Sequence, residues 1–186
     1  MKTAYRLKAQ ILRLIIISTI ILFTASCKES NPIDTSLKNG VFNKNKTEET
    51  EAYFFIQTAN VSNSIISKSL IAQQKCSENT ILELSRKIAD HQEKLQQEVK
   101  KLANKRMVVI TEINAAHKRD LYDLIDANNA NCEEVYLNSV TESIKEQIVL
   151  LEKISKETDD QPILKLVLQY LPDQYKLLRE TESFKK

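Results

Sequence analysis

Apolar residues recur along this chain at helical spacing, in four long stretches and one short one, each bounded by residues that cap or turn. In the first, running from Asn45 to about Lys75, Phe54, Thr58, Val61, Ile65 and Ala72 lie three, four or seven positions apart. That spacing gathers them on one face of a helix. The second carries Ile81, Leu84, Ile88, Leu95, Val99 and Leu102 and ends near Arg106. Met107 to Ile110 is a short apolar run of extended type, and a short helix with Leu121, Leu124 and Ile125 follows Thr111 or Asn114. The next long stretch carries Val140, Ile144, Ile148, Leu151 and Ile154, and the last carries Leu164, Val167, Leu168, Leu171, Tyr175 and Leu178.

The punctuation fits these stretches. Asn45 with Glu48, Thr80 with Glu83, and Asn131 with Glu134 each have capping-box spacing, and Ser77 is a second candidate cap for the second helix. The run Asn128-Asn129-Ala130-Asn131 favours a turn, and Asp159-Asp160-Gln161-Pro162 closes one helix and opens the next. Pro172 stands inside the last helix, where a kink is expected. Four long amphipathic helices and a short one predict an all-α fold, a ferritin-like four-helix bundle with a short additional crossover helix. If the short helix returns the chain along the bundle, the second and fourth segments run parallel. An up-down bundle with a small side helix is the alternative, and periodicity alone does not separate them.

The N-terminal region follows a different pattern. Residues 1–13 are basic, and Leu14 to Phe23 are apolar apart from Ser18 and Thr19. Ten residues are too few for a stable membrane span, which needs about 20, but they suit a secretory signal. The exit Thr24-Ala25-Ser26-Cys27 places small residues before a thiol that can accept diacylglycerol, with Thr24 where Leu is commoner. The expected organisation is therefore a lipoprotein-type signal peptide over 1–26, a flexible tether over 27–44 and a helical bundle domain over 45–186. The tether is polar, aperiodic, and holds Pro32 and Gly40. An ordinary cleaved signal and a retained membrane anchor are the competing readings. Lipid on Cys27 would make membrane lipid the first partner and the cell envelope the location, periplasmic or at the outer membrane.

Composition supports a helical globule: one Gly, three Pro, and 42% hydrophobic against 28% charged residues. The formal charge of +2 includes Lys2, Arg6, Lys8 and Arg13 of the signal segment. Without them the balance turns slightly acidic, and no basic footprint for nucleic acid remains.

The segments Ala72-Gln73-Gln74-Lys75, Ile88-Ala89-Asp90-His91-Gln92 and Tyr170-Leu171-Pro172, in that order and spacing, resemble the bacterial family catalogued as domain of unknown function 4142. The resemblance covers roughly residues 50–182. It implies a ferritin-like bundle, secretion and often a lipoprotein or outer-membrane character, with no general activity. Members often carry a second Asp-His in the later long helix and a His after the Leu-Pro. Here those positions read Ser143-Ile144 and Leu177.

Candidate chemistry is sparse. A di-iron carboxylate bundle needs Glu-x-x-His on two helices, but Ile88 and Asn114 stand three residues before His91 and His117. The inward positions of the first and fourth segments read Ile65 and Ile144, so no metal and no cofactor are expected. His91 lies beside the apolar stripe and is the candidate ligand or polar-core residue, with hydrogen bonds inside the bundle as the plainer expectation. Asp90 accompanies it but projects about 100° away, and His117 falls in a polar, solvated stretch. The Tyr170 and Tyr175 pair, with Leu171 and Leu178, reads as core. Cys76 and Cys132 are a candidate disulfide in an oxidising exterior, with two free thiols the weightier alternative. No phosphate loop, nucleophile elbow or Cys-x-x-Cys is present, so no catalytic residue is named. The expected function is non-enzymatic: a membrane-anchored bundle with a structural or interaction role, its partner an unidentified envelope protein. The alternative is a metal- or small-ligand-binding redox or storage module in the bundle core.

Overall fold

The computed structural model describes residues 46–111, 115–128 and 131–185. The expected signal peptide, Cys27, the expected tether and the expected Asn45 cap lie outside the described residues. Five helices follow one another: α1 Lys46–Lys75, α2 Asn79–Lys105, α3 Ala115–Asp126, α4 Cys132–Glu157 and α5 Gln161–Ser183. No helix among the described residues is long and apolar enough to cross a membrane.

Side-chain pairs fix the directions. Along α1 and α4 the contacts run from Glu51 with Thr158 to Ser62 with Gln147, Lys68 with Ser143, and Cys76 with Cys132. One index rises as the other falls, so these helices are antiparallel. Ser62 with Gln92 and Arg106 with Glu51 make α1 and α2 antiparallel too. The second and fourth helices therefore run parallel, and α3 lies in the crossover that returns the chain. Lys87 with Glu180, and Glu152 with Tyr175, bring α5 antiparallel to both. Of the two bundle connectivities considered, the one with a crossover is the one formed.

The core comes in two blocks. One, at the Cys76–Cys132 end, contains Ile65, Ile81, Ile88, Tyr136, Ile144 and Leu177. The other, at the end where α1 begins, contains Phe54, Phe55, Leu95, Leu102, Leu151, Ile163 and Val167. Full burial of side chains such as Phe55 and Ile88 contributes about 1.5–3 kcal/mol each.

Two helix boundaries differ from the capping boxes read in the sequence. The N-cap of α2 is Glu78, with no side-chain bond to its own helix. Thr80 instead donates its hydroxyl to the Glu78 carboxylate at 2.7 Å. Asn131, with ψ near 1°, lacks the extended backbone that aims a capping side chain at the helix, and it makes no cap bond. Asp160 does cap α5, accepting the Ile163 N–H at 3.0 Å. Helix α5 continues unbroken through Pro172. The carbonyl that Pro172 leaves without a helical partner belongs to Leu168, which is 78% exposed, so water can satisfy it.

Helix α2 ends in a Schellman motif: Val108 N–H donates to Ala103 O and Met107 N–H to Asn104 O, at 3.0 and 3.1 Å. The residue this motif forces into the left-handed region is Met107, with φ of 56°. Glycine takes that position freely, whereas a residue with a Cβ pays about 1 kcal/mol. The Met107–Ile110 run forms no strand. It alternates nonetheless, with Val108 and Ile110 packed on the core and Met107 and Val109 turned out.

Candidate functional site

Between the two apolar blocks lies a polar layer to which each long helix contributes one side chain. Ser62 of α1 donates to Gln92 Oε1 of α2 at 3.0 Å and also approaches Gln147 Oε1 of α4 at 3.4 Å. Gln92 Nε2 donates to Gln174 Oε1 of α5 at 3.1 Å. All four residues are fully buried. One hydroxyl proton cannot serve two carbonyls equally, so the nearer Gln92 takes most of it. The amide nitrogens of Gln147 and Gln174 have no partner.

Carboxylate bundles also draw their ligands from four helices, and their donors can be set beside these. Such bundles use one Glu on two helices and Glu-x-x-His on the other two. Here the two single positions are Ser62 and Gln147. The paired positions are Gln92 with Leu95 and Gln174 with Leu177, both leucines buried. The layer is thus made of neutral amides and a hydroxyl, with alkyl chains three residues on from Gln92 and Gln174. Soft or borderline transition-metal ions select imidazole and thiolate, and compact divalent ions select carboxylates. The donor set fits neither. Among the described residues no group of three or more His, Cys, Asp or Glu is placed to hold a metal ion.

The sequence-predicted residues fall around this layer rather than in it. His91 neighbours Gln92 on the helix, is 17% exposed in its side chain, and meets Tyr170 edge-on at 5.5 Å. Neither ring nitrogen makes a hydrogen bond, contrary to the expectation of a bonded core histidine. Burial lowers its pKa, Asp173 at 3.8 Å pulls it back up, and Lys94 lowers it further. Asp90 is exposed and belongs to no polar core: two residues beyond Ile88, it has turned about 200° from the buried face. His117 lies in α3, its side chain outside the described residues. Ile65 and Ile144 are buried in the apolar block next to the layer, while the inward polar positions are Ser62 and Gln147. Sequence periodicity missed them because a search for apolar stripes passes over buried Ser and Gln.

A second buried polar group holds the crossover helix. Lys68 of α1 is fully buried and donates to Asp120 of α3 at 2.8 Å, to Ser143 Oγ at 2.8 Å and to Ser139 O at 3.2 Å. Two turns on, Lys75 donates to the carbonyls of Leu124, Ile125 and Ala127 at the C-terminal end of α3. Cation and helix terminus attract there as dipoles dictate. Beyond it Cys76 and Cys132 are joined, with an S–S distance of 2.08 Å and Cα atoms 5.4 Å apart. The Glu133 carboxylate beside this bridge accepts the Ser77 N–H at 3.2 Å. Partial burial raises the Glu133 pKa, but hydrogen bonds from its own backbone, Ser77 and Glu78 outweigh that and lower it.

The model of a family described as Domain of unknown function (DUF4142) matches residues 38–183. Comparison with curated proteins gave no match. A solved structure titled "CopM in the Cu(II)-bound form" is similar in fold, with a TM-score of 0.63 at 16% sequence identity, covering 72% of this chain and 94% of that one.

Proposed function

The chain belongs to the DUF4142 family over residues 38–183, and from that premise we propose that it is a lipid-anchored helical domain of the cell envelope that acts by contact rather than by catalysis. The observation that supports this reading is the neutrality of the central layer. Ser62, Gln92, Gln147 and Gln174 carry no charge and no titrating proton, so they offer neither a general base nor a cation site. What such a layer does supply is register. A buried amide is stable only opposite its partners, so the layer disfavours sliding of one helix past another. The anchor part of the proposal rests on Cys27 and the apolar segment before it.

A second reading, metal binding, has two observations in its favour: the similar structure is titled as Cu(II)-bound, and neither ring nitrogen of His91 is engaged in a hydrogen bond among the described residues. Elemental analysis of the full chain purified without chelator decides between them. The expected result is metal far below one equivalent. Copper, zinc, iron or manganese at one equivalent, lost in His91→Ala, would overturn the non-metal reading.

A further inference from the structure

Met107 is 90% exposed and Val109 76% exposed, side by side on the outer face of the segment that leaves α2. Neither folding nor solvation accounts for Met107. Glycine would satisfy the left-handed position without strain, and a polar residue would satisfy the exposure. Three exposed lysines of the last turns of α2, Lys100, Lys101 and Lys105, stand just before this pair, and Lys165 of α5 shares a groove of about 550 Å³ with Lys101 and Lys105. Arg106 is occupied by Asp160 and Glu51. Glu98 lines that groove too and pairs with Lys101 at 3.8 Å, and the exposed acids of this end are Glu48 and Glu49 on α1 and Glu157 and Asp159 where α4 closes. The opposite end is different: its groove is lined by Glu78, Glu133 and Glu134, with Lys185 as the one cation.

The apolar pair and the lysines lie at the end where α1 begins, because Arg106 reaches Glu51 in the second turn of that helix. Residues 27–44, which connect Cys27 to the bundle in sequence, join at this same end. Fully extended they span at most about 60 Å, so a lipid on Cys27 would hold the bundle within that reach of the bilayer. We infer that Met107 and Val109 insert into the headgroup region of an anionic phospholipid bilayer, with Lys100, Lys101, Lys105 and Lys165 facing its phosphates. The chemistry is that of a peripheral membrane contact, in which apolar side chains enter the interface and nearby cations add attraction to anionic lipid. The direction of seating rests on the anchor reading; the contact itself does not.

The test uses the full chain with its disulfide intact. Single variants Met107→Cys, Val109→Cys and Leu70→Cys carry a polarity-sensitive fluorophore and are presented with vesicles of phosphatidylcholine with or without phosphatidylglycerol. Leu70, on the last turns of α1, reports the far end. Lipid-borne quenchers should quench the probes at 107 and 109 severalfold more than the probe at 70, and less so without phosphatidylglycerol. Circular dichroism confirms that each variant is folded, and two positions guard against one labelled chain failing. The mass of the N-terminal peptide reads lipid on Cys27 separately. Lipid present with aqueous probes at 107 and 109 overturns the seating and leaves the anchor. Lipid absent with lipid-quenched probes keeps the contact and overturns the anchor. Equal quenching at all three positions overturns the seating in either case.

Discussion

The members of the central layer differ in how much depends on them. Gln92 is bonded on both sides, to Ser62 and to Gln174, whereas Gln147 holds only the longer 3.4 Å approach and an unpartnered nitrogen. Gln92→Leu leaves the buried Gln174 carbonyl unpaired and Ser62 with only its longer approach to Gln147, and should destabilise the fold by about 1–3 kcal/mol. Gln147→Leu removes an amide that is already poorly served, and should change stability by less than about 1 kcal/mol. Urea unfolding of the two variants checks the order, and equal losses would mean the layer does not work pair by pair. His91 gives the pH counterpart. Its pKa in the folded state lies below the ordinary 6.5, first because of burial. The unfolded chain therefore takes up the proton first, so this contribution is intact above the ordinary value and is lost as pH falls below it. In His91→Gln the fall in stability between pH 7 and pH 5 should be shallower than in the parent, and an identical slope would assign the acid sensitivity to other groups.

At the scale of helices, α3 is held by few contacts of a particular kind. Its apolar anchor is Leu124, fully buried, while Tyr122 and Ile125 are exposed. Its polar anchor is Lys68, whose charge lies wholly inside the bundle and whose carboxylate partner is half exposed. Asp120→Asn should cost about 1–2 kcal/mol, discounted for the solvent around Asp120. The loss should be concentrated in α3, read as faster amide exchange there than in α1. Uniform acceleration across the bundle would mean that α3 does not open separately. None of this was legible in the sequence, where Lys68 reads as one lysine among many. The existence, order and extent of the helices were legible because good helix formers and their spacing repeat over whole turns. The face of α5 was less so: Ile163, Tyr170, Gln174 and Thr181 are buried, whereas Leu168 is exposed. Apolar spacing located a neighbouring stripe because two of the inward residues are polar. Helix α1 shows the same effect in stronger form. It packs against α2, α3 and α4, and buries Thr58, Asn60, Ser62, Ser64, Lys68 and Ser69 among its apolar residues. A helix enclosed on several sides has no single apolar face to reveal. For the site, sequence logic found no Glu-x-x-His and named Asp90 and His91, since histidine attracts attention that buried glutamine does not.

For the molecule as a whole, the Cys76–Cys132 bridge joins positions 56 residues apart. In the chain-entropy account a loop of that size stabilises the fold by about 4 kcal/mol. Replacing both cysteines with serine should lower the unfolding free energy by roughly that amount, and a change below about 1 kcal/mol would count against the bridge as a main support. Mass analysis before and after reduction should differ by two hydrogen atoms. The position of the bridge matters beyond its stabilisation. Helix α1 receives the preceding chain at Lys46 and meets the bridge one residue past Lys75. Tension arriving from before Lys46 therefore loads α1 in shear along its whole length, against α2 on one side and α4 on the other, instead of peeling it turn by turn. Once α1 yields, the covalent link passes the load straight to the start of α4. Residues 77–131, with α2 and α3, are bypassed and bear none of it. In a mechanical experiment pulling on the two chain ends, that loop should stay hidden until reductant is added.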